Sequence, residues 1–141
     1  MLCTPTISNV GVTRTLIDCG AILNVLSMEA FDQLLVSYDR LSPHQALLWV
    51  VDGSAVPLGQ IRLPITFDTR DNYHTELIDI DVARIILPCN AILGYPSLTK
   101  FMAATHPGYN VLNMPGSSDI LIVVGDALLV LKLTYKAAAA A

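Results

Sequence analysis

Short apolar runs broken by Gly, Pro, Asn and Asp recur about every ten residues along this chain, and few stretches keep a helical period. That rhythm calls for an all-β domain. In Ile61–Phe67 the apolar Ile61, Leu63, Ile65 and Phe67 alternate with Arg62, Pro64 and Thr66, and Pro64 puts this strand at an edge or an irregular position. In Leu77–Val82, Ile78, Ile80 and Val82 face one way. Asp79 and Asp81 face the other, as a solvated face with no metal assigned to it. The polar stretch Asp68–Tyr73 between the two strands reads as a hairpin connection.

Leu47–Val51 and Ala55–Gly59 flank Asp52-Gly53-Ser54, and Asp-Gly is a strong hairpin signal. Two short helices are expected. Ser27 can cap Met28–Val36, with Glu29 in the first turn, and Pro96 suits the first turn of a helix running to Met102. Strands resume over Tyr109–Met114, Asp119–Val124 and Ala127–Leu133, with a turn at Pro115–Ser118. The chain of 141 residues is 53% hydrophobic and 14% charged, enough apolar material for one core and not for two. One domain over 1–133 is expected, followed by a low-complexity tail over 134–141.

Eight basic and twelve acidic residues give a net charge of −4, with no Lys/Arg cluster to follow a phosphate backbone, so direct nucleic-acid binding is not expected. The apolar run Ile120–Leu133 is short and carries Gly125, Asp126 and Lys132, which argues against a membrane span. Met-Leu-Cys-Thr-Pro-Thr at the start has no signal-peptide character. An intracellular, cytoplasmic chain is the expectation. Cys3, Cys19 and Cys89 are odd in number and lack C-x-x-C spacing, so neither disulfides nor a zinc site is suggested.

Three local patterns carry possible chemistry. Leu16-Ile17-Asp18-Cys19-Gly20-Ala21 is an apolar strand delivering a carboxylate at its end, where partial shielding by the strand would raise the acid's pKa, and Gly20 lets the chain turn. Ile92-Leu93-Gly94 ends a buried strand just before the second helix. The hairpin holding Trp49, Val50, Val51, Asp52, Gly53 and Ser54 has a small polar tip suited to a mobile cover. Asp52-Gly53-Ser54 is read as its turn, not as a second catalytic triplet. His44, His74 and His106 are scattered and are assigned surface roles. Cys89 has no neighbouring base and is read as a small buried apolar residue.

The order and separation of these patterns resemble the aspartic protease domain of plant gypsy-type long-terminal-repeat retrotransposon Gag-Pol polyproteins, and hence retroviral proteases. Further stretches carry the resemblance: Asn24-Val25-Leu26, Pro57–Phe67, Asn72–Glu76, Lys100–Ala103, Met114-Pro115-Gly116 and Gly125-Asp126. It implies a small closed β-barrel of the acid-protease type that works as a homodimer on a polypeptide substrate, the retrotransposon polyprotein, with no metal or cofactor. Asp18 would be the catalytic residue, in a loop with Cys19, Gly20 and Ala21, and the Trp49–Ser54 hairpin would be the flap. Because the chain holds one matching triplet, a twofold axis would have to supply the second carboxylate.

Three positions depart from that family's pattern. Cys19 replaces the usual Thr, Ser or Gly, Tyr95 replaces an Arg, and Ile22 stands where retroviral relatives often have an Asp that pairs with that Arg. Two functions therefore stay open: an active aspartic endopeptidase, or an inactive barrel retained as a dimerisation or peptide-binding module.

Overall fold

The computed structural model describes residues 1–44, 55–85, 88–106 and 108–126, the first three residues of the second stretch by backbone alone. Its strands are β1 (Leu2–Cys3), β2 (Thr6–Ile7), β3 (Val10–Gly11), β4 (Thr15–Ile17), β5 (Val25–Ser27), β6 (Ala55–Thr69), β7 (Asn72–Ile85), β8 (Ala91–Leu93), β9 (Ala104–His106), β10 (Val111–Pro115) and β11 (Ile120–Val124). Helix α1 spans Met28–Gln33 and α2 spans Tyr95–Phe101. One curled mixed sheet runs β1-β4-β8-β5-β7-β6-β2-β3, and a second runs β11-β10-β9. The expected all-β architecture with two short helices is what the chain adopts.

Period-two alternation builds the long hairpin β6–β7. Ile61, Leu63, Ile65 and Phe67 are buried from one strand, Ile78, Ile80 and Val82 from the other, and Ile61 pairs with Ile80. Their inward faces meet Phe31 of α1, Phe101 of α2, and Leu112 and Leu121 of the second sheet in one apolar cluster. Each fully buried side chain of this size is worth about 1.5–3 kcal/mol, so the cluster and not strand propensity holds the hairpin.

Several expectations change in detail. The hairpin connection narrows from Asp68–Tyr73 to Arg70-Asp71, because Asp68 pairs with Tyr73 and Thr69 with Asn72. Pro64 is not on an edge strand, since β6 lies between β7 and β2. It sits where β2 ends, with its carbonyl accepting from Ser8 N–H at 2.9 Å, so its missing N–H interrupts little of the ladder. Helix α1 stops at Gln33 rather than Val36, as Leu35 turns left-handed at φ 58°. The Ser27 cap forms as expected, its Oγ accepting from Ala30 N–H at 3.1 Å. Of the expected flap hairpin, residues 47–54 lie outside the described residues, as do the expected strand Ala127–Leu133 and the tail.

The solvated-face reading of Asp79 and Asp81 holds for only one of them. Asp79 is exposed and faces Arg62 in a two-point contact at 2.9 and 3.2 Å. Asp81 is 2% exposed and meets His44. Alternation assigns both acids to one face, but the His44 side chain lies against Asp81 while Asp79 stays open. His44 and His74 are accordingly not plain surface residues. His74 packs edge-on against Phe101 with centroids 4.9 Å apart, and its Nε2 lies 2.8 Å from Glu76 Oε2. Cys89 is half-buried, not fully buried.

Candidate active site

Strand β4 delivers Asp18 between two neighbours of opposite sense. It pairs antiparallel with β1, Leu2 facing Leu16, and parallel with β8, Ile17 facing Leu93. Ile17 N–H donates to Met1 O at 2.8 Å and Asp18 N–H to Leu93 O at 3.0 Å, so the backbone at the carboxylate is pinned from both sides. Beyond Asp18 the chain turns at once, with Ala21 N–H donating back to Asp18 O at 3.1 Å.

Within that turn Gly20 N–H donates to Asp18 Oδ1 at 3.0 Å, and a Cβ on Gly20 would stand 3.3 Å from the same oxygen. Gly20 does not use a left-handed φ. It lies within the turn, as expected of it, and its backbone also approaches the carboxylate closely. The carboxylate is exposed in the single chain, so its own strand does not provide the expected shielding.

Gly94 locks this turn to the next element. A Cβ there would fall 2.4 Å from Leu23 O and 2.5 Å from Ala21 O, which are backbone atoms that cannot rotate away. The next amide, Tyr95 N–H, donates to Ala21 O at 2.8 Å. Ile92, Leu93 and Gly94 are thus brought against the Asp18 loop, together with Cys19, Gly20 and Ala21. The flap residues Trp49–Ser54 lie outside the described residues.

Sequence reasoning missed two contributors. Asn24, 5% exposed, accepts from Gly94 N–H at 3.0 Å and from Ser97 Oγ–H at 2.6 Å, and its Nδ2 donates to Asp79 O at 3.0 Å. One amide therefore ties the Asp18 loop, α2 and β7 together. An Asn before an apolar pair gives no sequence signal of that role. The second is the β9 wall: Thr105 and His106 join Met1, Ile17, Asp18 and Cys19 around a cavity of about 220 Å³. His106 is exposed, as a surface residue should be, but it lines the same cavity as Asp18.

A second groove of about 300 Å³ starts at Cys19 and follows α2 past Tyr95, Leu98, Thr99 and Met102. Cys19 is exposed between the two hollows. Among the described residues no three His, Cys, Asp or Glu side chains converge as metal ligands, and no helix is long and apolar enough to cross a membrane. All three cysteines are free, and burial pushes the Cys3 thiol up to about 12, which leaves it unreactive.

The shape of this framework matches solved structures. A crystal structure of the retroviral protease-like domain of Ddi1 from Leishmania major superposes with a TM-score of 0.66, covering 90% of this chain and 96% of that one at 14% identity. This chain has the retroviral protease-like fold. No protein-family model matches it, and no curated protein does. At that identity the likeness carries the fold alone. It accounts for the curled half-barrel sheet, and what the retropepsin-like fold does in this chain has to be argued from the site.

Proposed function

We propose that the chain is one subunit of a homodimeric aspartic endopeptidase whose catalytic group is Asp18. The observation that carries this reading is a carboxylate pinned at the end of β4, with one oxygen held by Gly20 N–H, at the rim of a cavity in a retropepsin-like fold. Two such carboxylates facing across a twofold axis would share one proton and titrate as a pair. The ionised carboxylate takes a proton from water, the water oxygen bonds to the peptide carbonyl carbon, and the protonated partner gives its proton to the carbonyl oxygen. When the resulting diol collapses, the C–N bond breaks and the amine leaves with a proton returned from the pair.

The proposed substrate is an extended polypeptide, and the residue pattern shared with plant gypsy-type retrotransposons points to their Gag-Pol polyprotein, processed in the cytoplasm. No cofactor takes part. Cleavage of peptide libraries at mildly acidic pH, blocked by pepstatin and abolished by Asp18→Asn without a change in unfolding midpoint, is the expected result. Cleavage unaffected by Asp18→Asn would falsify the assignment.

One observation favours a second reading. Cys19 presents an exposed thiol where a hydroxyl would bridge the subunits, and S–H is a weak donor. An inert dimerisation or peptide-binding module would bind peptides and self-associate without cleaving.

A further inference from the structure

We propose that Ser42 is a phosphorylation site: its hydroxyl accepts a phosphoryl group from a nucleoside triphosphate, under a protein kinase that selects proline after the acceptor, and Arg40 and Arg62 cradle the product. In the transfer Ser42 Oγ bonds to the γ-phosphorus and the bond from that phosphorus to the bridging oxygen breaks. The nucleoside diphosphate leaves with the electron pair, and the hydroxyl proton passes to the kinase's base. Neither the acceptor nor the cradle involves Asp18.

Of the serines and threonines in the sequence, only Thr4 and Ser42 are followed by proline. Pro5 is buried, so an enzyme has no access to it, whereas Ser42 and Pro43 are both exposed. A proline holds the residue before it in extended backbone, the form in which a chain is laid along another strand or an enzyme cleft. Ser42 accordingly makes an isolated antiparallel bridge with Gln60, its N–H donating to Gln60 O at 2.9 Å and its O accepting from Gln60 N–H at 2.7 Å. That single bridge is all the sheet pairing an enzyme has to release to take hold of Ser42.

Residues directly opposite in an antiparallel pair put their side chains on one face, and on that face Arg62 lies diagonal to Ser42, two positions beyond Gln60. Arg40 joins them: Arg40, Ser42, Gln60, Arg62 and Asp79 line one hollow of about 370 Å³. Neither the Ser42 hydroxyl nor the Arg40 guanidinium has a hydrogen-bond or ion-pair partner among the described residues. Arg62 is engaged by Asp79, but the two are 62% and 50% exposed, and exposed pairs contribute little. A phosphate on Ser42 brings about −1.5 to −2 charges and three acceptor oxygens, a stronger partner for a planar guanidinium than one carboxylate. Two cations against the single Asp79 anion make this hollow locally positive on a chain whose net charge is −4. The next charged groups on this face, His44 and Asp81, are already bound to each other.

Two preparations of the full chain test the site and the cradle: one treated with a proline-directed kinase and ATP, the other with phosphoserine encoded at position 42. Mass spectrometry of the first should find one phosphate, on Ser42, lost in Ser42→Ala and kept in Thr4→Ala. Phosphorus NMR of the second reads the cradle. The second pKa of phosphoserine, about 6 in an unfolded chain, should fall by about half a pH unit or more in the native one, because Arg40 and Arg62 favour the dianion and outweigh Asp79. Arg40→Gln combined with Arg62→Gln should return it to the value measured in urea. Arg40→Gln alone, which leaves the Arg62–Asp79 pair in place, should return part of it, and about 1 M NaCl should shrink the difference.

Phosphate found on Thr4 instead, or none on the native chain, would overturn the site. A native phosphoserine that titrates as it does in urea would overturn the cradle. A lowered pKa that survives removal of both arginines would overturn it as well, and would trace the effect to His44.

Discussion

Asp79 and Asp81 are two residues apart on one face of β7, and their carboxyl groups are driven in opposite directions. The Arg62 guanidinium bonded to Asp79 holds its carboxyl below the usual range. Burial raises that of Asp81, with the His44 contact working against the rise. A carboxyl raised on folding favours the native state below its unfolded value of about 3.9, and this contribution fades as pH climbs through the raised value. Asp79 acts in the opposite sense, its contribution being lost as pH falls. Asp81→Asn should therefore remove a loss of stability that wild type shows as pH rises from about 4 toward neutrality. Urea midpoints taken across that window check it, and parallel curves for the two proteins would refute the assignment.

Cys19 is the other residue whose chemistry can be tuned by one atom. If the subunit pair is an endopeptidase, Cys19→Thr or Cys19→Ser replaces a weak S–H donor with a hydroxyl next to the carboxylates and should raise kcat/KM by about tenfold, corresponding to about 1.4 kcal/mol. Equal absence of cleavage in wild type and both variants, each a verified dimer, leaves the inert module as the reading.

At the scale of elements, the junction of β8 and α2 is what shapes the site. Gly94 passes within contact of Leu23 O and Ala21 O, and Asn24 bonds the Gly94 amide and the Ser97 hydroxyl in the same place. Gly94→Ala has to push one backbone segment away from the other, so it should cost about 3 kcal/mol or more and reduce cleavage beyond the loss of folded protein. A denaturant midpoint and an activity normalised to native protein separate the two effects. A Gly94→Ala protein as stable and active as wild type would show that the loop and the helix are not packed as described. These contacts join residues far apart in the chain, which is why no local pattern reveals them.

The whole molecule is half of the machine proposed for it. One Asp18 per chain makes activity depend on association, so specific activity per chain should fall on dilution below the dimer dissociation constant. It should be regained at high concentration, tracking the dimer fraction measured by sedimentation. Cleavage per chain that stays constant through complete dissociation would mean that a single Asp18 suffices. In the proposed dimer, the carboxylate that is exposed in the single chain would gain its remaining wall from the second copy.

Alternation and turn residues alone determine the all-β class, the β6–β7 pair, both helix positions and the Ser27 cap, because each depends on spacing between near neighbours. The strand-turn at Asp18 and the Ile92-Leu93-Gly94 segment were legible as motifs for the same reason. Only tertiary structure decided that these two segments touch, that Asn24 clamps them, that His106 shares a cavity with Asp18 and that Asp81 is buried against His44. A strand pattern states which face a side chain lies on. What packs over that face comes from distant parts of the chain, and there burial, hydrogen bonding and charge are set.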